Sequence, residues 1–202
     1  MVIPSLAQKK DALRRSLSEK LAALSVHQIE EESLRLVTLL QTWAPPRGFE
    51  MVLATLPLAG EADLTPFLTW WLKAGRRAAF ARTGPQRSME FREVFDLSGP
   101  WETKPFGMKE PPASAPVWEP GLPTLALVPG LAFTAAPGRG AFRLGRGAGY
   151  YDRWLAQFGK AVFALGVGLS VQSVERVPLE PHDWPLDGWI DPQGFHGEES
   201  EQ

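Results

Sequence analysis

Two stretches of this chain run from a short apolar segment through a helical segment to a second apolar segment, and that pattern limits the fold more than any other feature. Met51–Leu56 reads as a buried strand, followed by the loop Pro57–Asp63. Thr65-Pro66 then marks a helix start, with threonine as N-cap and proline at the first helical position. The helix Phe67–Ala74 stops at Gly75, and Ala78–Ala81 reads as the next strand. In the second unit Leu125–Val128 is a strand, Tyr150–Phe158 a helix stopped by Gly159, and Val162–Val167 a returning strand. Crossover helices bring parallel strands together and cover both faces of the sheet. The expected fold class is therefore α/β: three-layer, a mainly parallel open sheet with helices on both faces, Rossmann-like. Met89–Phe95 alternates as a further strand, whereas residues 96–123 hold seven prolines and read as a mostly irregular, Pro-rich excursion. A single α/β domain is expected over residues 1–195. The polar stretch after Asp191 is expected to fray, with 196–202 an acidic disordered tail.

Two helices open the chain, each announced by a capping box: Ser5 with Gln8 and Ser25 with Gln28. In the first, Leu6, Leu13, Leu17, Leu21 and Leu24 fall within an arc of about 80° at 100° per residue. Lys10 projects into the middle of that arc and Arg14 sits at its edge. An average lysine so placed snorkels to water; the sharper alternative is a pair of cations aimed inward at a bound anion.

Composition removes several kinds of chemistry. There are no cysteines among the 202 residues, which excludes disulfides, thiolate metal sites and a cysteine nucleophile. Three histidines make a multi-histidine zinc centre a poor expectation. No apolar run approaches a membrane span, and the charged start MVIPSLAQKKDALRR does not read as a signal peptide. The expectation is a cytoplasmic protein, monomeric and without membrane or nucleic-acid partners, whose chemistry rests on carboxylates, basic groups and backbone. The net charge of −2 is unevenly spread. Arg139, Arg143, Arg146 and Arg153 oppose only Asp152 within fifteen residues, while the chain after residue 154 holds two basic and eight acidic residues. A positive loop followed by an acidic end suits an anion that carries a cation with it.

Sites in open α/β sheets lie past the carboxyl ends of strands. Arg143-Leu-Gly-Arg-Gly-Ala-Gly-Tyr-Tyr-Asp-Arg153 lies there, directly before a helix. Gly145, Gly147 and Gly149 permit close backbone approach. The helix start offers unpaired N–H groups to an anion, and Arg143 and Arg146 add planar forks for phosphate oxygens. The segment is neither a Walker A loop nor the dinucleotide Gly-x-Gly-x-x-Gly. Asp152 falls in the first helical turn, where the dipole alone favours a carboxylate; beside a polyphosphate such a group also suits Mg²⁺. A second carboxylate lies in Pro178–Asp187, where the residues alone do not choose among Glu180, Asp183 and Asp187.

These residues resemble the 5-formyltetrahydrofolate cyclo-ligase (methenyltetrahydrofolate synthetase) family. The most specific piece is the segment Arg143–Arg153, preceded by Val128-Pro-Gly-Leu-Ala-Phe133. Lys10-Asp-Ala-Leu-Arg14, Gly60-Glu-Ala-Asp63, Gly107-Met-Lys-Glu-Pro111 and Pro178–Asp187 follow in the family's order, so the resemblance covers roughly residues 6–190. It implies an enzyme that uses ATP and Mg²⁺ to close 5-formyltetrahydrofolate into 5,10-methenyltetrahydrofolate through a phosphorylated formyl oxygen. It further implies that Lys10 and Arg14 contact ATP phosphates. The nucleotide loop would comprise Arg143, Leu144, Gly145, Arg146, Gly147, Ala148, Gly149, Tyr150 and Tyr151. Of these, Arg146, Gly147, Ala148, Gly149 and Tyr150 would also touch folate, together with Leu56, Glu61 and Phe106. Asp152 and Asp183 would hold Mg²⁺, and Lys10, Arg143, Arg146 and Tyr151 would act on the reacting groups. The chain departs from the family pattern at Thr134, usually aspartate, at Leu64, often threonine, at Ala81, often proline, and in a longer stretch from Phe133 to Arg143. Two alternatives remain at this level: a phosphate-loop enzyme of the same fold with another folate-like or phosphorylated substrate, and a non-catalytic RNA-binding relative.

Overall fold

The computed structural model describes residues 4–136 and 138–197, with only the backbone of Phe106. In chain order the elements are α1 (Leu6–Ala22), α2 (Val26–Trp43), β1 (Met51–Ala54), α3 (Thr65–Lys73), β2 (Arg77–Thr83), β3 (Met89–Glu93), β4 (Glu102–Thr103), β5 (Lys109–Glu110), β6 (Thr124–Pro129), β7 (Ala132–Ala135), β8 (Ala141–Leu144), α4 (Tyr150–Phe158), β9 (Phe163–Val167), β10 (Gly188–Asp191) and β11 (Gly194–Gly197).

Seven strands form the main sheet in the order β11-β10-β9-β6-β1-β2-β3. The four inner pairings are parallel and the two outer ones, β2–β3 and β10–β11, antiparallel. Every residue of β1 is buried, as a central strand covered on both faces requires. On one face, α2 and α3 set Leu36, Leu40, Phe67, Leu68 and Trp71, all fully buried, against Val52, Ala54, Leu125 and Leu127. Each such side chain contributes roughly 1.5–3 kcal/mol by leaving water. On the other, α4 presents Tyr151, Trp154 and Leu155 to Met51, Leu53, Ala126 and Val128. This is the three-layer, mainly parallel α/β arrangement expected, with helices on both faces.

Local readings hold to different degrees. Both capping boxes form, and α4 begins and ends where the sequence places it. The start of α3 is different: Leu64 is the N-cap and makes no side-chain cap bond, so Thr65 and Pro66 stand one position deeper than expected. The leucine arc of α1 faces inward except at Leu6: Leu13, Leu21 and Leu24 are half-buried against the core. Only Leu17 is fully buried, against Ala132, Leu144 and Val177, so α1 rests on the β7–β8 hairpin there, while Leu21 packs against the core that α2 and α3 form on the sheet. That hairpin lies in a stretch read as loop, and it is the longer Phe133–Arg143 segment that builds it. Thr134 donates its hydroxyl to the Glu175 carbonyl at 2.9 Å there. The segment after Asp191 does not fray: β11 pairs along β10, while residues 198–202 of the expected tail lie outside the described residues. Within 96–123, Trp118 packs with Trp154 and Leu155 on the α4 face of the sheet, and Arg82 of β2 holds Glu102 of β4 and the Pro111 carbonyl just after β5. None of the described helices is long and apolar enough to cross a membrane.

Candidate active site

The chain leaves β1 for β2 and β3 on one side and then returns to β6 on the other, so the strand order reverses beside β1. Such a switch point opens a crevice at the carboxyl ends of the strands. A cavity of about 200 Å³ lies there. Thr55 and Leu56 follow β1 into it, Ala81 and Thr83 come from the end of β2, Pro129 and Gly130 close β6, and Gly145, Arg146, Ala148 and Gly149 lead into the first turn of α4, Tyr150 to Asp152. Most of the wall is apolar, from Leu56, Leu58, Ala81, Met89 and Met108; the polar groups are few and each is held differently.

The glycine-arginine loop leads into α4 with its backbone open. Gly149 is the N-cap of α4 with φ of 68°, and no side chain caps the helix. A Cβ there would stand 2.9 Å from Arg153 Nη1, the movable end of a long side chain, so it is the positive φ that calls for glycine. The first N–H groups of α4 are thus left for a ligand. Arg14 donates Nε–H to the Gly145 carbonyl at 3.0 Å, fastening α1 to the loop. Gly147, with φ of 104°, passes close under that guanidinium. Arg143, on β8 and 7% exposed, pairs with Asp152 at 3.2 Å and lies over the Tyr151 ring. Burial pushes its pKa down, opposed mainly by Asp152. Tyr151 is buried too, which raises its phenol pKa well above the ordinary value, with the Arg143 charge opposing. Thr55 beside its hydroxyl also opposes the rise, but at hydrogen-bond geometry that hydroxyl and Arg143 Nε are both buried without a partner among the described residues.

Glu61 is anchored from two sides: Oε2 accepts from the Leu58 N–H at 3.0 Å and Oε1 from Arg146 Nη2 at 2.7 Å. Lys10 does project inward, but onto carboxylates of this chain. Its Nζ lies 2.8 and 2.6 Å from the two oxygens of Asp183 and 2.8 Å from Glu180. Burial alone would lower the Lys10 pKa; the bonds and charges of Asp183 and Glu180 outweigh it and raise it. Asp183 also accepts the Glu180 N–H at 2.7 Å, so both its oxygens are engaged.

The structure therefore gathers Leu56, Glu61, Arg143, Gly145, Arg146, Ala148, Gly149, Tyr150, Tyr151 and Asp152 around one cavity. Lys10, Arg14, Leu144, Gly147 and Asp183 are not among its lining residues. The Phe106 side chain lies outside the described residues, though its neighbours Met108, Lys109 and Glu110 line the cavity. Thr55, Thr83 and Glu110 are polar members that the sequence reading passed over; Glu110 sat within a quoted motif, but nothing in the sequence marked it as buried. Among the described residues, no group of three or more histidine, cysteine or acidic side chains converges as a metal cluster would.

A family model described as the 5-formyltetrahydrofolate cyclo-ligase family matches residues 6–192. A 5-formyltetrahydrofolate cyclo-ligase of Mycolicibacterium smegmatis is 36% identical over 92 residues, which is 44% of either chain. One from Saccharomyces cerevisiae is 34% identical over 88 residues, 41% of this chain and 39% of that one. The matched parts thus span less than half the length of these two relatives. A probable 5-formyltetrahydrofolate cyclo-ligase of Schizosaccharomyces pombe is 24% identical over 93% of this chain and 97% of its own. Among solved structures, the 5,10-methenyltetrahydrofolate synthetase of Aquifex aeolicus superposes with a TM-score of 0.76 at 26% identity, covering 96% of this chain and 94% of that one.

Proposed function

Since the chain belongs to the 5-formyltetrahydrofolate cyclo-ligase family, we propose that its cavity closes 5-formyltetrahydrofolate to 5,10-methenyltetrahydrofolate at the expense of ATP, releasing ADP and phosphate. One observation carries this reading. An uncapped helix start flanked by Arg143 and Arg146 shares a cavity with an apolar wall that holds the carboxylate Glu61. The first half suits a polyphosphate and the second a flat ring bearing N–H donors.

The formyl oxygen attacks the γ-phosphorus, and ADP leaves. The N5 lone pair moves into the N5–C bond, N10 adds to the activated carbon, and phosphate departs with the former formyl oxygen. Loss of the N10 proton completes the methenyl bridge. No protein nucleophile is needed, because phosphoryl transfer depends on positioning and charge neutralisation. The loop from Arg143 to Tyr151 holds the triphosphate by its N–H groups and guanidinium forks. Tyr151, kept neutral by its burial, donates its hydroxyl to a phosphoryl oxygen. Arg14 steadies the loop through Gly145, and Lys10 turns from Asp183 to the phosphates. Leu56 packs on the pterin, and Glu61 exchanges Arg146 for the amide and amino donors of the ring.

The resemblance implies Mg²⁺, which takes one or two carboxylates along with phosphate oxygens and water. Asp152 fits that demand, since it lines the cavity beside the loop, and with Asp183 it would hold the ion. Bound there, the ion would screen the charge of the transferring phosphates.

The test mixes purified protein with 5-formyltetrahydrofolate, ATP and MgCl₂ and follows the near-ultraviolet absorbance of the methenyl product. The expected result is a rise that vanishes without ATP or without Mg²⁺. A folded protein that binds ATP and gives no rise would overturn the assigned substrate.

A further inference from the structure

Nine buried side-chain polar atoms lack a hydrogen-bond partner among the described residues, and three of them belong to residues of the one cavity: Arg143 Nε, Tyr151 Oη and Glu110 Oε2. The first two belong with the phosphate loop. Glu110 does not. It comes from β5, is 4% exposed, and is held by its other oxygen alone: Oε1 accepts from the Thr83 N–H at 3.1 Å and the Thr83 hydroxyl at 2.6 Å. Those two bonds fix the carboxylate against the end of β2. Among the described residues, Oε2 then has neither hydrogen bond nor cation within ion-pair reach, whereas the other orphaned carboxylate oxygen, Asp191 Oδ2, has His196 at 3.0 Å. Burying such an oxygen without a donor is costly. A wall residue that keeps one is set up to receive a donor from the ligand.

We propose that Glu110 Oε2 accepts a hydrogen bond from the N8–H of the tetrahydropterin ring, which makes Glu110 the residue that selects reduced over oxidised folate. This rests on the reading of the cavity as a folate site. Glu61 takes the amide and amino donors of one edge. N5 carries the formyl group and has no hydrogen to give, so N8–H is the remaining ring N–H. In a fully oxidised pterin N8 has no hydrogen and is itself an acceptor, which would set two acceptors against each other. A site built to accept a hydrogen bond rejects an analogue that lacks the donor far more strongly than an apolar pocket rejects a change of size.

The experiment compares wild-type protein with Glu110→Gln by tryptophan fluorescence titration, using 5-formyltetrahydrofolate and folic acid without ATP, together with the thermal midpoint of each free protein. Glutamine retains an oxygen for Thr83 and presents an amide N–H where Oε2 stood. The expected result is a loss of about tenfold or more in affinity for 5-formyltetrahydrofolate, unchanged or tighter binding of folic acid, and an unchanged midpoint. Equal affinities for 5-formyltetrahydrofolate in the two proteins, or equal losses for both ligands, would overturn the role of Glu110 alone. A large fall in the midpoint would make Glu110 a structural brace instead. If the wild type binds neither ligand, the folate reading of the cavity fails and this inference with it.

Discussion

Replacing Lys10 with methionine tests how the N-terminal helix is tied to the site. The Lys10 and Asp183 side chains are 6% and 10% exposed, and Glu180 is 31% exposed. Removing one partner of a buried ion pair costs about 3–5 kcal/mol, because the other charge is left uncompensated. Here the loss is smaller: Asp183 keeps the Glu180 N–H and Glu180 reaches water, so about 2–3 kcal/mol is expected. For a domain of this size that lowers Tm by about 4–12 °C. The raised pKa of Lys10 sets the pH window. The contribution is complete below the unfolded value of about 10.4 and disappears as pH climbs through the higher folded value. Urea unfolding followed by tryptophan fluorescence gives the numbers for Lys10→Met, Asp183→Asn and the double variant. The double variant should lose less than the sum of the singles by at least about 1 kcal/mol. Additive losses, or a stable Lys10→Met protein, would show that the cluster does not act as a unit.

Glu61→Gln should raise the KM for 5-formyltetrahydrofolate about tenfold or more while leaving ATP binding intact, measured by initial rates and by nucleotide titration; a selective loss of ATP affinity would instead place Glu61 on the phosphates. Asp152→Asn should shift the Mg²⁺ dependence of the rate to higher concentration, and an unaltered Mg²⁺ titration would leave Asp152 only as the partner of Arg143. Tyr151 should remain un-ionised in the native protein as pH is raised past 10 and titrate when urea is added, seen as phenolate absorbance. Because its folded pKa is raised, it withdraws stability as the unfolded phenol ionises, so Tyr151→Phe should flatten the decline of stability above about pH 10.

The legible parts of this molecule are those whose signal is local. Tyr150–Phe158 lies between glycines and carries its own periodicity, so α4 was read to the residue. The buried run at β1 needed no partner to be recognised, although the strand ends at Ala54 rather than Leu56. The β7–β8 hairpin hid among glycines and a proline, and it is fastened by pairing with Leu186 across the chain. β10 and β11 are four residues each and both start at glycine; β10 acquires strand character from β9 beside it, and β11 from β10. Within the site, Lys10 was legible as a cation on an apolar arc, but its partners lie some 170 residues away, and no spacing rule reaches that far. Glu110 was invisible for the same reason, since its burial and its bonds to Thr83 arise only when β5 folds against β2.

The central claim is that this cavity activates the formyl oxygen by phosphorylation. It is tested most directly with 5-formyltetrahydrofolate carrying oxygen-18 in the formyl group, incubated with the protein, ATP and MgCl₂, with mass spectrometry of the phosphate released. The expected result is one labelled oxygen in each phosphate formed, in step with the methenyl product. Methenyl product accompanied by unlabelled phosphate would mean that the formyl oxygen leaves by another route, and the account of the site given by Arg143, Arg146 and Tyr151 would be wrong.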